Sequence, residues 1–296
     1  MLPKFLQPGD KIVLIAPAKA IEAEYIDYAI QLIEANGFEV ILGKHCRGRH
    51  NYFSGTVTER AEDLQWAINH PEAKAILCAR GGYGCIHIVD KVDWSTFDKN
   101  PKWLVGFSDV TVFHQFLSQR GTASMHATMP LNFKENSEQA IHSLLGSLKG
   151  EFPSYTWETT QNNQEGICLG EIVGGNLTVL TGLIGTPYQP DYSNKILFME
   201  DVGEYLYAID RSLYQLKNAG VFNKINGLIV GNFSQVKDTE VPFGSTLYEI
   251  ILSHFKGMNI PIAFDYPGGH LDDNRAVPMG VKAQLEVGAK TASLFF

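Results

Sequence analysis

The stretch that decides the fold runs from Ala73 to Gly84 and reads AKAILCARGGYG. Residues 73–79 are apolar apart from Lys74 and lead into paired glycines, as is typical of a strand buried on both faces of a parallel sheet. A helical pattern precedes it at 56–69, and a further apolar strand follows at 103–106. Because strands and helices alternate, right-handed βαβ crossovers are expected. The sequence therefore predicts an α/β fold built on a parallel sheet.

The same alternation extends to both sides of this stretch. Towards the N-terminus it predicts strands at 11–16 and 38–42, a helix at 22–36, and Thr58 as the N-cap of the helix at 56–69. Towards the C-terminus it predicts helices at 83–89, 110–117, 142–148, 176–183, 207–219 and 245–255. Further apolar strands are predicted at 196–199, 227–230 and 262–264, with a C-terminal hairpin at 283–287 and 291–296.

The length of 296 residues suggests two domains. We expect residues 1–150 to form an N-terminal α/β domain and residues 166–296 to form a C-terminal domain. Residues 151–165 between them are polar, with Thr-Thr-Gln-Asn-Asn-Gln at their centre. This composition is typical of an interdomain linker, and an exposed hairpin is the alternative.

Charge and composition exclude several classes of function. Lys and Arg total 24 against 32 Asp and Glu, a net charge of −8, so we expect no non-specific nucleic-acid partner. No apolar run approaches the roughly 18 to 20 residues that span a bilayer, so no membrane association is expected. The N-terminus is interrupted by Pro8 and Pro17 and does not read as a secretory signal. The four cysteines show no paired spacing for zinc, and the cytoplasm is the expected compartment.

The segment Trp103-Leu104-Val105-Gly106-Phe107-Ser108-Asp109-Val110-Thr111 carries the first candidate for chemistry. Ser108 falls in a sharp turn between a predicted strand and a predicted helix, where its hydroxyl can stand above the sheet edge as a nucleophile. The backbone N–H of Asp109 is a natural donor to an oxyanion there. The alternative is that Ser108 or Asp109 is only an N-cap, because the G-x-S-x-G pattern is not matched.

The glycines that follow the buried strand form the second candidate. Gly81 and Gly82 let backbone N–H groups approach a ligand closely, so this turn is a candidate second lobe of an oxyanion hole. A dinucleotide-binding turn is disfavoured, because G-G-x-G does not match G-x-G-x-x-G. A simple tight turn is the remaining alternative.

An acid and a histidine follow two further predicted strands. Glu200 ends the run Ile-Leu-Phe-Met-Glu and could orient a histidine, although an exposed Glu-Asp pair is the more common case. His270 follows the paired glycines 268–269 and is suited to general-base work, with His114 and His126 as competitors. No H-x-H, H-E-x-x-H or carboxylate-rich loop is present, so we expect no metal and no cofactor.

Taken together, these residues resemble the LD-carboxypeptidase family of serine peptidases, which includes murein tetrapeptide carboxypeptidases and microcin C immunity peptidases. The resemblance covers nearly the whole chain and rests on six motifs: L-x-P-G-D-K-I-x-L-I-A-P, R-G-G-Y-G, G-F-S-D-V-T, G-G-N-L, M-E-D-V-G-E and G-H-x-x-x-N. It implies Ser108 as nucleophile, Glu200 and His270 as the other triad members, and Asp109 with the Gly81-Gly82 turn as oxyanion donors.

The resemblance also implies an N-terminal domain like that of class I glutamine amidotransferases, a C-terminal swivelling β/α domain and usually a homodimer. The implied reaction is release of terminal D-alanine from murein tetrapeptide in cell-wall recycling, without a cofactor. By charge, Arg80 and Arg275 are candidates for binding the substrate carboxylate, although Arg80 could instead brace the glycine turn. The chain departs from the family at 126–128, His-Ala-Thr for His-Gly-Pro, and at 17–18, Pro-Ala for Pro-Ser. Both departures concern substrate detail.

Three other functions stay open at this point. A microcin C-type immunity peptidase would hydrolyse a peptidyl-nucleotide and needs an aromatic side chain to stack on the base, for which Trp157 is the candidate. A ligand-binding homologue without catalysis would keep the fold alone. A nucleotide-dependent oxidoreductase is disfavoured by the glycine pattern.

Overall fold

The computed structural model describes residues 1–160 and 163–296 and consists of two β-sheets with packed helices. The strands are β1 (Lys11–Ile15), β2 (Glu39–Leu42), β3 (Ala73–Cys78), β4 (Trp103–Gly106), β5 (Ser124–His126), β6 (Tyr155–Glu158), β7 (Gly166–Asn176), β8 (Ile196–Val202), β9 (Gly227–Ser234), β10 (Ile262–Ala263), β11 (Val277–Met279), β12 (Lys282–Val287) and β13 (Thr291–Phe295). The α-helices are α1 (Ala23–Ala35), α2 (Val57–Asn69), α3 (Ser95–Lys99), α4 (Thr111–Gln119), α5 (Glu138–Lys149), α6 (Leu177–Leu183), α7 (Leu206–Asn218) and α8 (Leu247–His254).

The first sheet has the spatial order β11-β5-β4-β3-β1-β2. Its strands β1 to β5 are mutually parallel, as the alternation of elements predicts, and only β11 runs antiparallel. Alternate residues of β1 enter different cores: Ile12 and Leu14 pack with α1 and α5, whereas Val13 and Ile15 pack with α2 and α4. Burial on both faces explains why this sheet reads as unbroken apolar runs.

The second sheet has the order β10-β9-β8-β7-β12-β13-β6. Strands β7 to β10 are parallel, and β12 and β13 form the predicted antiparallel hairpin. The prediction of an α/β fold is therefore confirmed. Strand β6 pairs with β13, so part of the predicted linker 151–165 lies in this sheet; residues 161 and 162 of that linker are outside the described residues.

Strand β11 lies far along the chain from the rest of the first sheet. It pairs with β5 in the register Val277 to His126 and Met279 to Ser124. The predicted C-terminal segment 166–296 therefore supplies one strand to the sheet formed by the N-terminal segment.

Two local predictions were wrong. The N-cap of α2 is Thr56, not Thr58, because Thr56 and Glu59 exchange the side-chain-to-backbone bonds of a capping box. Residues 83–89 form a single 3₁₀ turn, Cys85–His87, rather than a helix. Gly84 precedes this turn with φ of +143°, a conformation that a continuous helix cannot contain.

Candidate active site

Ser108 lies in a strained turn between β4 and α4. Its φ is +63°, in the left-handed region that non-glycine residues rarely occupy, and it begins a 3₁₀ turn, Ser108–Val110, that leads directly into the helix. Such a conformation costs on the order of 1 to 3 kcal/mol and is found mainly at functional sites. The strand-turn-helix geometry is that of a nucleophile elbow, although the flanking glycine pattern is absent.

Gly81 packs directly against Ser108. A Cβ atom placed at Gly81 would lie 3.0 Å from Ser108 Cβ, 3.2 Å from Ser108 Oγ and 3.3 Å from the Asp109 nitrogen. The neighbouring Gly82 has φ of +103° and faces elsewhere, since its Cβ would lie 2.9 Å from both Lys19 Cβ and Tyr52 Oη. Of the two glycines, Gly81 is therefore the one whose missing side chain leaves space beside the serine.

The carboxylate of Asp109 ties the two turns together. It is almost fully buried, and its Oδ2 accepts a hydrogen bond of 2.8 Å from the backbone N–H of Cys85, at the end of the glycine turn. Burial raises the pKa of this carboxyl, although the hydrogen bond from Cys85 counteracts part of the effect. The Asp109 side chain thus fixes the glycine turn relative to Ser108, a role that the sequence alone did not indicate.

Replacing Asp109 with alanine is expected to lower the free energy of unfolding by about 1 to 3 kcal/mol, because the buried Cys85 N–H loses its acceptor. Asp109→Asn keeps an acceptor oxygen and is expected to retain most of that stability. Denaturant unfolding of both variants measures the difference. Equal stability of the alanine variant and the wild type would contradict the bridging role.

Glu200 and His270 form a bonded pair at the edge of the second sheet. The distance from His270 Nδ1 to Glu200 Oε2 is 2.7 Å, and Glu200 is completely buried near the end of β8. A Cβ at Gly269 would lie 2.8 Å from Glu200 Cβ, so a glycine is needed where the histidine loop crosses the acid. Asn274 Oδ1 accepts a 2.8 Å hydrogen bond from the Gly269 N–H and holds that loop. This bond explains the asparagine of the G-H-x-x-x-N motif.

The pair shifts the pKa of both partners. Burial alone would raise the pKa of Glu200, but the imidazoles of His270 and His126 outweigh it and lower that pKa to about 2. Burial likewise opposes charge on His270, but the Glu200 and Asp201 carboxylates outweigh it and raise the pKa of His270 above its ordinary value of 6.5. The acid therefore stays ionised near neutral pH and stabilises a charged imidazole.

The two halves of the candidate triad approach each other through Phe107. The ring centroids of Phe107 and His270 are 4.9 Å apart, so the imidazole packs against the residue that precedes Ser108. Within residues 1–160 and 163–296, no hydrogen bond joins Ser108 Oγ to His270. Hydrogen bonds of catalytic groups are often long without substrate and shorten in the substrate complex.

A polar network fastens helix α4 to the end of β7, beside Glu200. Thr111 Oγ1 accepts a 3.0 Å hydrogen bond from the Asn176 N–H, and Asn176 Nδ2 donates to Asp201 Oδ1 at 2.8 Å. Gln115 Nε2 donates to the Gly174 carbonyl at 2.6 Å. These bonds explain the G-G-N-L motif: its asparagine connects the helix after Ser108 with the residue after Glu200.

The remaining sequence candidates have other contacts. Arg80 is half-buried and donates to the Ala20 carbonyl at 3.1 Å, which braces the loop after β1. Arg275 makes a bidentate ion pair with Asp273, and the cleft beside it contains none of the three triad candidates. Trp157 is buried, with Nε1 donating to the Phe264 carbonyl at 2.7 Å, so the expectation that it could stack on a base was wrong.

The described part of the chain contains neither a metal-binding cluster nor a membrane-spanning helix. Among residues 1–160 and 163–296, no group of three or more His, Cys, Asp or Glu side chains is arranged to hold a metal ion. In the same part of the chain, no helix has both the length and the apolar character needed to cross a membrane.

Known proteins resemble this chain over nearly its whole length. Residues 12–127 match the LD-carboxypeptidase N-terminal domain and residues 169–285 the LD-carboxypeptidase C-terminal domain. The murein tetrapeptide carboxypeptidase of Pseudomonas aeruginosa is 32% identical, covering 95% of this chain and 94% of that protein. A probable murein peptide carboxypeptidase of Bacillus subtilis is 34% identical, covering 98% and 93%.

A solved structure agrees with these sequence relatives. The crystal structure of muramoyltetrapeptide carboxypeptidase from Oxalobacter formigenes superposes with a TM-score of 0.87 at 28% identity, covering 96% of this chain and 97% of that one. Domain matches, full-length relatives and fold thus agree with the family that the motifs predict. The chain belongs to the LD-carboxypeptidase family and is a carboxypeptidase.

Proposed function

We propose that the chain is a serine peptidase that cleaves the LD-peptide bond before the terminal D-alanine of murein tetrapeptide, in cell-wall recycling. The observation that carries the proposal is the buried Glu200–His270 pair, bonded at 2.7 Å and packed through Phe107 beside a strained Ser108. The named relatives support the choice of substrate.

In the proposed reaction, Ser108 Oγ attacks the carbonyl carbon and His270 takes its proton, while Glu200 accepts the Nδ1–H bond and stabilises the imidazolium. The resulting oxyanion is bound by the Asp109 N–H and by an N–H of the Gly81-Gly82 turn. When the C–N bond breaks, His270 returns the proton to the amine of D-alanine. Water, deprotonated by His270, then hydrolyses the acyl ester and restores the serine.

For the substrate carboxylate we propose Arg80 and Arg275, of which Arg80 has the stronger support. Arg80 adjoins the glycine turn in the sequence, and its guanidinium donates only one hydrogen bond within the described residues. Arg275 is already paired with Asp273. Binding of a terminal carboxylate requires donors close to the scissile bond, which favours the residue next to Gly81.

The activity is expected to fall on the acid side with a midpoint above pH 6.5. The base must be neutral to accept the serine proton, and the pKa of His270 is raised, so protonation already inactivates the enzyme above that pH. Glu200 contributes nothing to this limb, because its pKa is lowered to about 2. A pH profile of kcat/KM measures the midpoint, and Glu200→Gln should move any residual limb to lower pH. A wild-type midpoint below 6.5 would contradict the assignment.

The proposal includes the N-terminal unit 1–150 carrying the nucleophile and the C-terminal unit 166–296 carrying the acid and base. It also includes a cytoplasmic location and a homodimer. The free thiols support a reducing compartment, since all four cysteines are unpaired. The homodimer rests on the family resemblance, and sedimentation analysis at several protein concentrations tests it.

The substrate proposal is tested with tetrapeptides that end in D-alanine or L-alanine. Release of D-alanine alone supports it, and equal release of both isomers would overturn it. An immunity peptidase would instead cleave a peptidyl-nucleotide, but the burial of Trp157 removes the candidate for base stacking. Labelling of Ser108 by a substrate-like electrophile separates the enzyme from a non-catalytic homologue.

A further inference from the structure

His126 is a buried histidine that the reaction described above does not use. It ends β5, where it pairs with Gly106 of β4, so it lies at the same sheet edge as Ser108 and is fully buried there. Its ring packs against Phe107, Phe198 and His114 at centroid distances of 5.9, 4.9 and 6.2 Å. Neither ring nitrogen has a hydrogen-bond partner in the described residues. A buried polar group without a partner is costly and requires an explanation.

The unpartnered histidine faces an unpartnered oxygen. His126 Nε2 lies 4.0 Å from Glu200 Oε1, and that oxygen also has no hydrogen-bond partner among the described residues. The other oxygen of the same carboxylate, Oε2, is bound by His270. A displacement of about 1 Å would bring Nε2 and Oε1 to the usual hydrogen-bond distance of about 2.9 Å.

We infer that His126 is a positioning residue for the triad acid: it donates its Nε2–H to Glu200 Oε1 and so directs Oε2 at His270. The inference rests on the proposed role of Glu200. Each oxygen of the buried carboxylate is then held by one histidine, His126 from the first sheet and His270 from beside the second. Alignment of the triad therefore depends on how the two sheets are docked.

The surroundings of His126 favour this arrangement. The titratable groups that face the cluster are Glu200 and Asp201 on β8, His270 on the loop after β10, and His114 on α4. His114 bonds to the Gly106 carbonyl and to Ser124 Oγ, each at 2.8 Å, and is neutral because burial and His126 lower its pKa to about 3. Because both ring nitrogens of His114 are already bonded, His114 does not compete with His126 for Glu200 Oε1.

The test compares His126→Phe, which removes the donor, with His126→Gln, whose side-chain amide can place an N–H near the position of Nε2. We expect the phenylalanine variant to lose about 10- to 100-fold in kcat with little change in KM, the same range as when a residue that orients a metal-binding histidine is removed from a metalloenzyme. The glutamine variant should recover most of that loss. His254→Phe is the matched control, because His254 is also buried and bound to a carboxylate, Asp210, away from Ser108.

A pH measurement separates positioning from a structural role. Without the His126 donor, Oε2 of Glu200 is no longer directed at His270 and the hydrogen bond that raises the pKa of His270 is weakened, so the acid limb of the kcat/KM profile should move to lower pH in the phenylalanine variant alone. NMR titration of the His270 ring reads the same shift without substrate, so it tests His126 even if the wild type releases no D-alanine. An unchanged His270 pKa, or glutamine and phenylalanine variants that behave alike, would overturn the inference.

Discussion

Replacing Ser108 with alanine is expected to abolish the release of D-alanine, with kcat reduced by roughly 10⁴-fold or more. The alanine has no oxygen to form the acyl bond, so the Glu200–His270 pair has no nucleophile to activate. KM should change little, because the hydroxyl contributes to bond formation rather than to substrate binding. Steady-state release of D-alanine, with single-turnover measurements for the residual rate, gives the size of the loss.

Ser118→Ala is the matched control for this substitution. Ser118 lies on α4, the helix that follows Ser108, and its buried Oγ has no hydrogen-bond partner among the described residues, so its loss should leave the activity unchanged. Alanine at 108 keeps the same left-handed backbone, and unfolding by denaturant should show similar stability to the wild type. Full activity in a folded Ser108→Ala protein would end the nucleophile assignment.

Gly81→Ala is expected to have the second-largest effect, a loss of about 10² to 10³-fold in kcat. The new methyl group would lie 3.0 to 3.3 Å from Ser108 Cβ, Ser108 Oγ and the Asp109 nitrogen, so these atoms must move by a few tenths of an ångström. They are the proposed nucleophile and oxyanion donor. Steady-state kinetics with a D-alanine-terminated tetrapeptide measures the loss.

The loss at Gly81 should come without general destabilisation. Gly81 does not have a positive φ, so alanine fits its backbone conformation and only the space beside the serine is affected. Gly182→Ala is the matched control, since a methyl group there would contact nothing within 4 Å and its φ is also not positive. Wild-type kinetics in Gly81→Ala would show that this turn takes no part in oxyanion binding.

The parallel part of the fold could be predicted because its signals are local. Strand 73–78 is buried at every position except Lys74 and so reads as an almost continuous apolar run, and each crossover helix shows its own periodicity. Strand β11 could not be predicted in the same way. The three residues Val277-Pro278-Met279 are too few to show the alternation of apolar and polar residues that predicts a strand. They form one only because β5 presents an unpaired edge.

The candidate site was located by motifs, but its geometry was not. Each proposed triad residue follows a strand predicted from the sequence, and the C-terminal edge of a sheet collects such residues. The sequence could not show that Glu200 is fully buried, or that its second oxygen faces His126, because these facts depend on the docking of two sheets. Arg275 illustrates the limit: its charge made it a candidate for substrate binding, but the sequence could not show that it forms an ion pair with Asp273.

Because β11 pairs with β5, segments 1–150 and 166–296 are joined by strand pairing as well as by the covalent chain. His270 lies on a segment anchored at both ends, by the bridge between Asn232 and Gly269 on one side and by the pairing of Val277 with His126 on the other. A polypeptide cut between the two sheets would leave its fragments joined by backbone hydrogen bonds, as complementing pieces of a split protein are. Segment 1–150 alone would instead leave the edge of β5 open and the proposed nucleophile without its base, and segment 166–296 alone would leave β11 unpaired and the base without its nucleophile.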